Sequence, residues 1–381
     1  MSVSVRYNYV RSRHLEESLR RGSRYGTWMT TYCRTQFGWG QVSERDYPEN
    51  VEGKIFFAPI PSEIDAKAKA GRVHHYLRVR GSKDARKIAR GNPDFLKMIR
   101  EGEPIPRDAR HLELKVAVEY TQQFVDAPFG RIEIPDPSEP ILGSHSVPIM
   151  GLSEANRFFV IANSWPNWGY HSLGDMPFAF FDRFMIESWA VDESKPDLKP
   201  GPGGITVNSW EVPNPLGDRL FGFEVYDPSQ DERIAWSFIV QREGLLDIEE
   251  FFVKPQFRRC GFGVMLAGKI LELAEVQNRR IRAWIPYVDA SEANRAGLTA
   301  ILEKLGLSVR RSGVRWAAYK AVSGNPVAFP LVRIPDPPAD PPRPADEEVP
   351  LGSLRGLITK YEDPFSAALS PDEWEAILDS N

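Results

Sequence analysis

Residues 245–277, LLDIEEFFVKPQFRRCGFGVMLAGKILELAEVQ, decide the fold of the central part of the chain. The apolar run from Leu245 to Val253 predicts a strand. Gly261 and Gly263 predict a turn, and the apolar positions that follow them recur with the period of a helix. Such a strand, glycine turn and helix start predict an anion-binding site, because free N–H groups and the helix dipole attract negative charge.

The flanking segments predict a mixed sheet around this unit. Residues 220–227 and 233–241 alternate between apolar and polar side chains and are joined by a polar turn, as in an antiparallel hairpin. Further elements are expected as a strand at 280–288, a helix at 294–305 and a closing strand at 315–322.

The spacing Arg258-x-x-Gly261-x-Gly263 after this strand resembles motif A of the GCN5-related N-acetyltransferase (GNAT) superfamily. The resemblance covers residues 205–323 and implies acetyl-CoA as co-substrate, with its pyrophosphate bound by the turn and its pantetheine arm paired with the strand. The cofactor-binding residues that the resemblance implies are Phe251, Phe252, Val253, Arg258, Arg259, Cys260, Gly261, Phe262, Gly263, Val264 and Asn294.

An acetyltransferase of this kind needs a base, because a lysine-like amine is only about 0.04% neutral at pH 7. Glu249 and Glu250 precede the turn, and strand alternation predicts that they point to opposite faces. They resemble the acids of diamine acetyltransferases, so either is a candidate base, Glu249 first; the alternative for each is a solvated carboxylate at the strand edge. Tyr287 is a candidate general acid, because Leu302 occupies the position where the family often has a tyrosine; the alternative for Tyr287 is a buried structural tyrosine.

A second pattern, GSHSVPIM around His145 and FVIANSWPNWGY around Asn163, lies upstream. The two segments resemble the histidine and asparagine segments of papain-like cysteine peptidases, and the resemblance covers residues 25–190. It implies His145 as the histidine, Asn163 as the asparagine that orients the imidazole, and Trp165 as the indole that shields their contact.

The peptidase nucleophile has no counterpart in this pattern. Cys33 lies in WMTTYCRTQFGW, which resembles a later helix of the family, so a buried structural thiol is expected there. The expectation is that the chain begins after the nucleophile helix and that His145 and Asn163 are a remnant without a thiolate.

The predicted fold class is α+β/α/β, a truncated papain-like domain followed by a GNAT mixed-sheet domain and a Pro-rich tail with a short terminal helix. The expected divisions are a papain-like domain at 1–195, a linker at 196–204, the GNAT domain at 205–323, and the tail at 324–381 with a helix at 370–379.

Composition narrows the class of protein further. The net charge of −4 gives no indication of nucleic-acid binding, which usually needs a basic domain or stripe. No segment has an apolar run as long as that of a signal peptide or a membrane span. Two distant cysteines favour a reducing compartment, so a cytoplasmic protein is expected. The expected partner is a protein or peptide bound at the papain-like cleft or by the tail, with no nucleic acid and no membrane.

Three functions are compatible with these patterns. The first is an acetyl-CoA-dependent N-acetyltransferase that acts on an amine of a protein, peptide or small molecule and is fused to a degenerate papain-like module. The second is a split cysteine peptidase whose nucleophile helix belongs to another chain. The third is a non-catalytic binding scaffold. No metal site is predicted.

Overall fold

The computed structural model describes residues 3–16, 27–48, 58–92, 112–165, 167–192, 204–212, 214–277, 279–285, 308–312 and 315–320. The helices among these residues are α1 Val5–Leu15, α2 Met29–Gly38, α3 Ser62–Ala68, α4 Ser82–Gly91, α5 Gln122–Val125, α6 Phe178–Phe184 and α7 Phe262–Val276. The strands are β1 His75–Arg78, β2 Leu112–Tyr120, β3 Gly143–Ser153, β4 Phe158–Ala162, β5 Leu173–Pro177, β6 Met185–Asp192, β7 Thr206–Val212, β8 Arg219–Asp227, β9 Glu232–Arg242, β10 Leu245–Val253, β11 Arg280–Ile285, β12 Ser308–Ser312 and β13 Arg315–Lys320. We call the described residues up to 192 the N-terminal half and those from 204 onwards the C-terminal half.

The N-terminal half carries a six-stranded antiparallel sheet in the order β1-β6-β2-β3-β4-β5. Strand β2, LELKVAVEY, shows the pattern that builds it. Leu114, Val116 and Val118 are buried, and the residues between them are more exposed. This alternation places one face of the sheet against the core. His145 lies on strand β3 of this sheet.

The C-terminal half carries a seven-stranded sheet in the order β12-β13-β11-β10-β9-β8-β7. Strands β10 and β11 are parallel, and helix α7 forms the crossover between them, while the other neighbouring strands are antiparallel. The predicted hairpin, the strand over 245–253, helix α7 and the two later strands are all confirmed. Strands β7 and β12 had not been assigned individually from the sequence.

Helix α2 lies between the two sheets. It contacts β6 and β1 of the first sheet and β9 of the second, and nine of its ten residues are buried, as expected of a helix covered on all sides. Its first turn is capped by Glu187, whose carboxylate accepts from the backbone N–H groups of Met29 at 2.6 Å and Thr30 at 3.1 Å. Cys33 lies on this helix and is fully buried, which confirms the expectation of a structural thiol.

A single apolar core runs from the N-terminal half into the C-terminal half. The Trp236 ring of β9 lies 5.3 Å from the Phe37 ring and 6.3 Å from the Trp39 ring, centroid to centroid. Gly38 lies between these residues, and a Cβ at that position would be 2.5 Å from the Trp236 ring. The opposite face of the second sheet packs against α7 in a separate apolar cluster. The two halves therefore fold against each other, with α2 as the shared layer.

Several predicted features lie outside the described residues. They are the linker at 196–204 apart from Gly204, Tyr287, Asn294, the helix at 294–305, and the Pro-rich tail with its terminal helix. Among the described residues, no helix has the length and apolar character needed to cross a membrane.

Candidate functional site

The turn after β10 has the backbone geometry expected of an anion-binding loop. A short 3-10 turn over Pro255–Phe257 reverses the chain, and the Arg258 side chain returns to donate from Nε to the Val253 carbonyl at 3.2 Å. Arg259 and Gly261 have φ values of 66° and 86°, in the left-handed region that favours glycine.

Gly261 is the N-cap of α7, and a Cβ built on it meets no atom within 4 Å. The requirement for glycine at this position therefore comes from its backbone conformation, and the space beside the turn is open. After the turn, the first backbone N–H groups with a hydrogen-bond acceptor are those of Val264 and Met265, which donate to the Gly261 carbonyl at 3.0 and 3.1 Å.

The N–H groups of residues 259–263 donate to no acceptor within the described part of the chain. Five consecutive amides at the start of a 15-residue helix form a positive site, to which the helix dipole adds. Arg259 and Cys260 are exposed, so the turn is open to solvent. The geometry suits a phosphate or pyrophosphate.

Strands β10 and β11 separate next to this turn. Their parallel pairing runs from Leu245 with Arg280 to Ile248 with Ala283 and then stops, although β10 continues for five more residues. Over residues 249–253, β10 pairs only with β9 among the described strands. Within the described ranges, no strand pairs with the β11-facing edge of β10 beyond Ile248, and an extended ligand could pair with the backbone there.

The prediction that Glu249 and Glu250 point to opposite faces is wrong. The pairing of β10 with β9 shifts register between Ile248 and Glu250, which is a β-bulge. An extra residue in one strand breaks the alternation, so consecutive side chains can share a side. Glu249 pairs with Arg80 and Glu250 with Arg34, and both arginines belong to the N-terminal half.

Glu250 is held in a buried ion pair. The Arg34 guanidinium donates from Nη2 to Oε1 at 2.8 Å and from Nε to Oε1 and Oε2 at 3.2 and 3.3 Å. The two side chains are 2% and 1% exposed, and the Arg34 guanidinium also lies 4.9 Å above the Phe252 ring. A carboxylate bound on both oxygens in the core is poorly placed to accept a proton from a substrate. The position suits a structural contact between the halves.

Glu249 belongs to a partly accessible charged cluster at the junction of the halves. It pairs with Arg80 and, at 3.1 Å, with Arg242, while Asp247 on the same strand pairs with Arg242 and with Arg282 at 2.6 Å. Arg80 is 43% exposed, so displacing it would open Glu249 to solvent. Of the two predicted bases, Glu249 is the more exposed, at 8% against 1% for Glu250.

Lys254 is a charged residue of the junction that sequence reasoning missed. Its ammonium donates to the Gly38 carbonyl at 2.8 Å and to Glu232 at 2.6 Å, and it lies 4.1 Å from the centre of the Trp39 ring. Burial lowers the pKa of Lys254 to about 7, against the opposite effect of Glu232. Arg34, Arg80 and Lys254 all pair across long sequence separations, which no local pattern reveals.

The second constellation assembles as the sequence predicts. His145 on β3 and Asn163 after β4 lie 2.9 Å apart, Nε2 to Oδ1, and the Trp165 ring stacks on the imidazole at 4.5 Å. Both members of the pair are buried, at 5% and 4% exposure. The Trp165 backbone N–H also donates to Asn163 Oδ1, at 3.3 Å, which supports the assignment of that atom as the amide oxygen.

This contact fixes the tautomer of the imidazole. An amide oxygen only accepts, so His145 Nε2 carries the proton and Nδ1 keeps the lone pair. Burial lowers the pKa of His145 from 6.5 to about 4, and the Asn163 hydrogen bond opposes that shift. The imidazole is therefore neutral at pH 7 and is a weak base in the absence of an anionic partner.

The two cysteines offer thiols of different character. Burial raises the pKa of the Cys33 thiol, so its thiolate is disfavoured in the core of α2. Cys260 is exposed in the turn before α7. Cys33 is therefore unsuited to serve as the nucleophile that the His145–Asn163 pair would activate.

No protein-family model matches the sequence, and a search of curated proteins returns no similar sequence. Solved structures similar to the chain come from the two families that the sequence motifs resemble. One is xylellain, a cysteine protease from Xylella fastidiosa, with 17% identity, a TM-score of 0.39, and coverage of 51% of this chain and 70% of that one.

Two others are N-acetyltransferases. The PaiA N-acetyltransferase from Thermoplasma acidophilum, in complex with coenzyme A, is 12% identical with a TM-score of 0.23 and covers 27% of this chain. This chain spans 60% of the length of that enzyme. The ribosomal-protein-S18-alanine N-acetyltransferase from Escherichia coli is 18% identical with a TM-score of 0.21, covering 28% of this chain and 74% of its own.

Proposed function

We propose that the protein is an acetyl-CoA-dependent N-acetyltransferase that acts on an amine of a protein, peptide or small molecule. The observation that carries the proposal is the turn at 259–263, whose five backbone N–H groups donate to no acceptor in the described part of the chain and lie next to an edge of β10 that no described strand pairs with beyond Ile248. An anion site next to a strand edge fits a ligand with a pyrophosphate at one end and an amide-bearing arm at the other.

Different residues would bind the two parts of such a ligand. The backbone of residues 259–263 and the Arg258 and Arg259 guanidiniums would bind the pyrophosphate. The backbone of residues 251–253 would pair with the arm; the Phe252 side chain itself is 5% exposed and packs into the core. When bound, acetyl-CoA supplies a thioester that a neutral amine can attack.

Glu249 is the base in this proposal. Deprotonating a lysine-like amine at pH 7 costs about 4.6 kcal/mol, so a carboxylate within reach of the amine or of a bridging water raises the rate. Its partner Arg80 is the most exposed group of the cluster, which gives an acceptor a path to the carboxylate. Tyr287 and Asn294 keep their predicted roles as general acid and cofactor contact within this proposal.

Calorimetry with acetyl-CoA tests donor binding, and the chain offers a matched pair of variants. Gly261→Ala and Gly217→Ala place a methyl group at φ values of +86° and +95°, each with no atom within 4 Å. The loss of stability should therefore be similar in both variants. Only Gly261→Ala should weaken acetyl-CoA binding, by about tenfold or more, which is about 1.4 kcal/mol.

Two results would overturn the donor site: no acetyl-CoA binding by the wild-type chain, or equal affinity in both glycine variants. The base is tested separately with an amine panel. Glu249→Gln should lower kcat, while the exposed Glu211→Gln, also an arginine-paired glutamate, should leave kcat unchanged. An unchanged kcat in Glu249→Gln would remove that residue from the mechanism.

A second candidate function is a split cysteine peptidase. The specific observation in its favour is the His145–Asn163 pair, which has the tautomer and the indole cover that a thiol-activating imidazole requires. The thiol would come from another polypeptide. Mixing the chain with a polypeptide that carries a cysteine helix should yield peptide cleavage that His145→Ala abolishes and the exposed His171→Ala retains. Cleavage that survives His145→Ala would exclude this function.

A further inference from the structure

Two histidines and an aspartate meet at one end of the first sheet, away from both constellations described above. The cluster consists of His74, His75 and Asp192, and one side-chain ligand atom from each lies within 4.8 Å of the others. His75 Nδ1 and Asp192 Oδ2 are 3.4 Å apart. Histidine and aspartate are both ligands of divalent transition metals.

The strand register brings these residues together. His75 opens β1 and lies directly opposite Asp192, the last residue of β6, in an antiparallel pair. Directly opposed residues in such a pair have Cβ atoms about 4.5–5.5 Å apart, within bridging distance for a shared ion. His74 precedes the strand, and its backbone N–H donates to the Asp192 carbonyl at 2.8 Å, which holds its side chain beside the pair.

The cluster has little exposure to solvent. His75 is 1% exposed and Asp192 is fully buried, while His74 is half-buried beneath the edge of Trp210 from β7, with a ring separation of 6.3 Å. A cation bound there would face the Asp192 carboxylate with little exposure to solvent, where attraction between opposite charges is strong.

We propose that His74, His75 and Asp192 bind one divalent cation, with Zn²⁺ as the best match to two imidazoles and a carboxylate. Two ligands at about 2.1 Å from a tetrahedral ion lie about 3.4 Å apart, the separation of His75 Nδ1 and Asp192 Oδ2. The third ligand atom, from His74, lies within 4.8 Å of the other two.

Three protein ligands leave the fourth tetrahedral position for water or for a further ligand. The ion would join the start of β1 to the end of β6, at the point where the chain leaves the first sheet. Trp210 would cover the site from the second sheet. The site therefore lies at the junction of the two halves, and its occupancy would stabilise that junction independently of acyl transfer.

The experiment uses the full chain with Cys260→Ser, which removes the exposed thiol as a competing metal ligand. After chelator dialysis, ZnCl₂ is titrated by calorimetry and CoCl₂ by visible absorption. One Zn²⁺ per chain is expected, with a tetrahedral Co²⁺ spectrum and a higher Tm when the ion is bound. His75→Ala should weaken Zn²⁺ binding at least tenfold, and the exposed His171→Ala should leave it unchanged.

His74→Ala provides a second ligand variant at a half-buried position, so the test stands even if His75→Ala fails to fold. Folding of each variant is checked by circular dichroism before titration. The proposal is overturned if the wild-type chain binds no Zn²⁺ at micromolar concentration, or if folded His74→Ala or His75→Ala binds Zn²⁺ with the affinity of the His171→Ala control.

Discussion

The ion pair between Arg34 and Glu250 is the sharpest test of how the two halves are joined. Replacing Arg34 with methionine preserves the volume of the side chain and leaves the Glu250 carboxylate in the core without its guanidinium. Because the two side chains are 2% and 1% exposed, water cannot replace the lost bonds. Breaking a buried pair on one side costs about 3–5 kcal/mol, so Arg34→Met should lower the free energy of unfolding by that amount.

A double-mutant cycle separates this interaction from packing. Arg34→Met with Glu250→Gln removes the stranded charge, so the double variant should be more stable than Arg34→Met alone, with a coupling energy of about 2–3 kcal/mol. Lys67→Met is the matched control, because its ion pair with Asp46 is exposed, at 57% and 36%. That change should cost about 0–1 kcal/mol.

The assay is urea unfolding followed by tryptophan fluorescence and circular dichroism. Trp39 and Trp236 lie in the shared layer, so two of the ten tryptophans that contribute to the fluorescence report on the junction. The reasoning fails if Arg34→Met costs no more than Lys67→Met, or if the two single changes are additive. Either result would mean that the Arg34–Glu250 ion pair contributes little to holding α2 against β10.

Two further predictions concern the pKa of His145 and the close packing of the two halves at Gly38. Burial lowers the pKa of His145 to about 4 in the folded chain, against 6.5 when unfolded, so the unfolded state binds the extra proton below pH 6.5. The stability that this group contributes above pH 6.5 should be lost as pH falls through about 4, by about 3 kcal/mol in total. The imidazole pKa is measured by NMR titration, and the loss of stability by comparing the unfolding of the wild type and His145→Gln across this pH range. An imidazole that titrates near pH 6.5 in the folded chain would contradict the prediction. Gly38→Ala should cost about 1–3 kcal/mol, because its Cβ would meet the Trp236 ring at 2.5 Å. In contrast, Gly268→Ala in the open middle of α7 should stabilise by about 0.5–1 kcal/mol, and equal unfolding midpoints for the two variants would contradict the packing.

Because the two halves share a core, they are not independent domains joined by a linker. A linker-joined pair of domains would let each half move independently, whereas here α2 packs on both sheets and supplies Arg34 to strand β10. The N-terminal half therefore holds the strand that carries the proposed base and the proposed donor-binding edge. Residues far from the turn in sequence, such as Gly38, are expected to influence acyl transfer through this contact.

Local pattern was enough for much of the candidate site. The left-handed conformation of Gly261 follows from its place between a strand and a helix, and the His145–Asn163 contact follows from two recognisable segments. The side of the sheet occupied by Glu249 and Glu250 did not follow, because a bulge depends on the partner strand. The alternation rule considers one strand by itself, so it does not predict a bulge in the pairing of two strands.

The sequence by itself determined the two recurring patterns of this protein: the strand, glycine turn and helix over 245–277, and the histidine and asparagine segments on β3 and after β4. These depend on backbone preferences and periodicity within short windows, which a sequence displays directly. Only the tertiary structure decided that α2 is a common core layer, that Arg34 neutralises Glu250, and that His75 faces Asp192 across a strand pair. Those contacts join residues more than a hundred positions apart, and their energies come from burial and from charge pairing at the junction, which no local window contains.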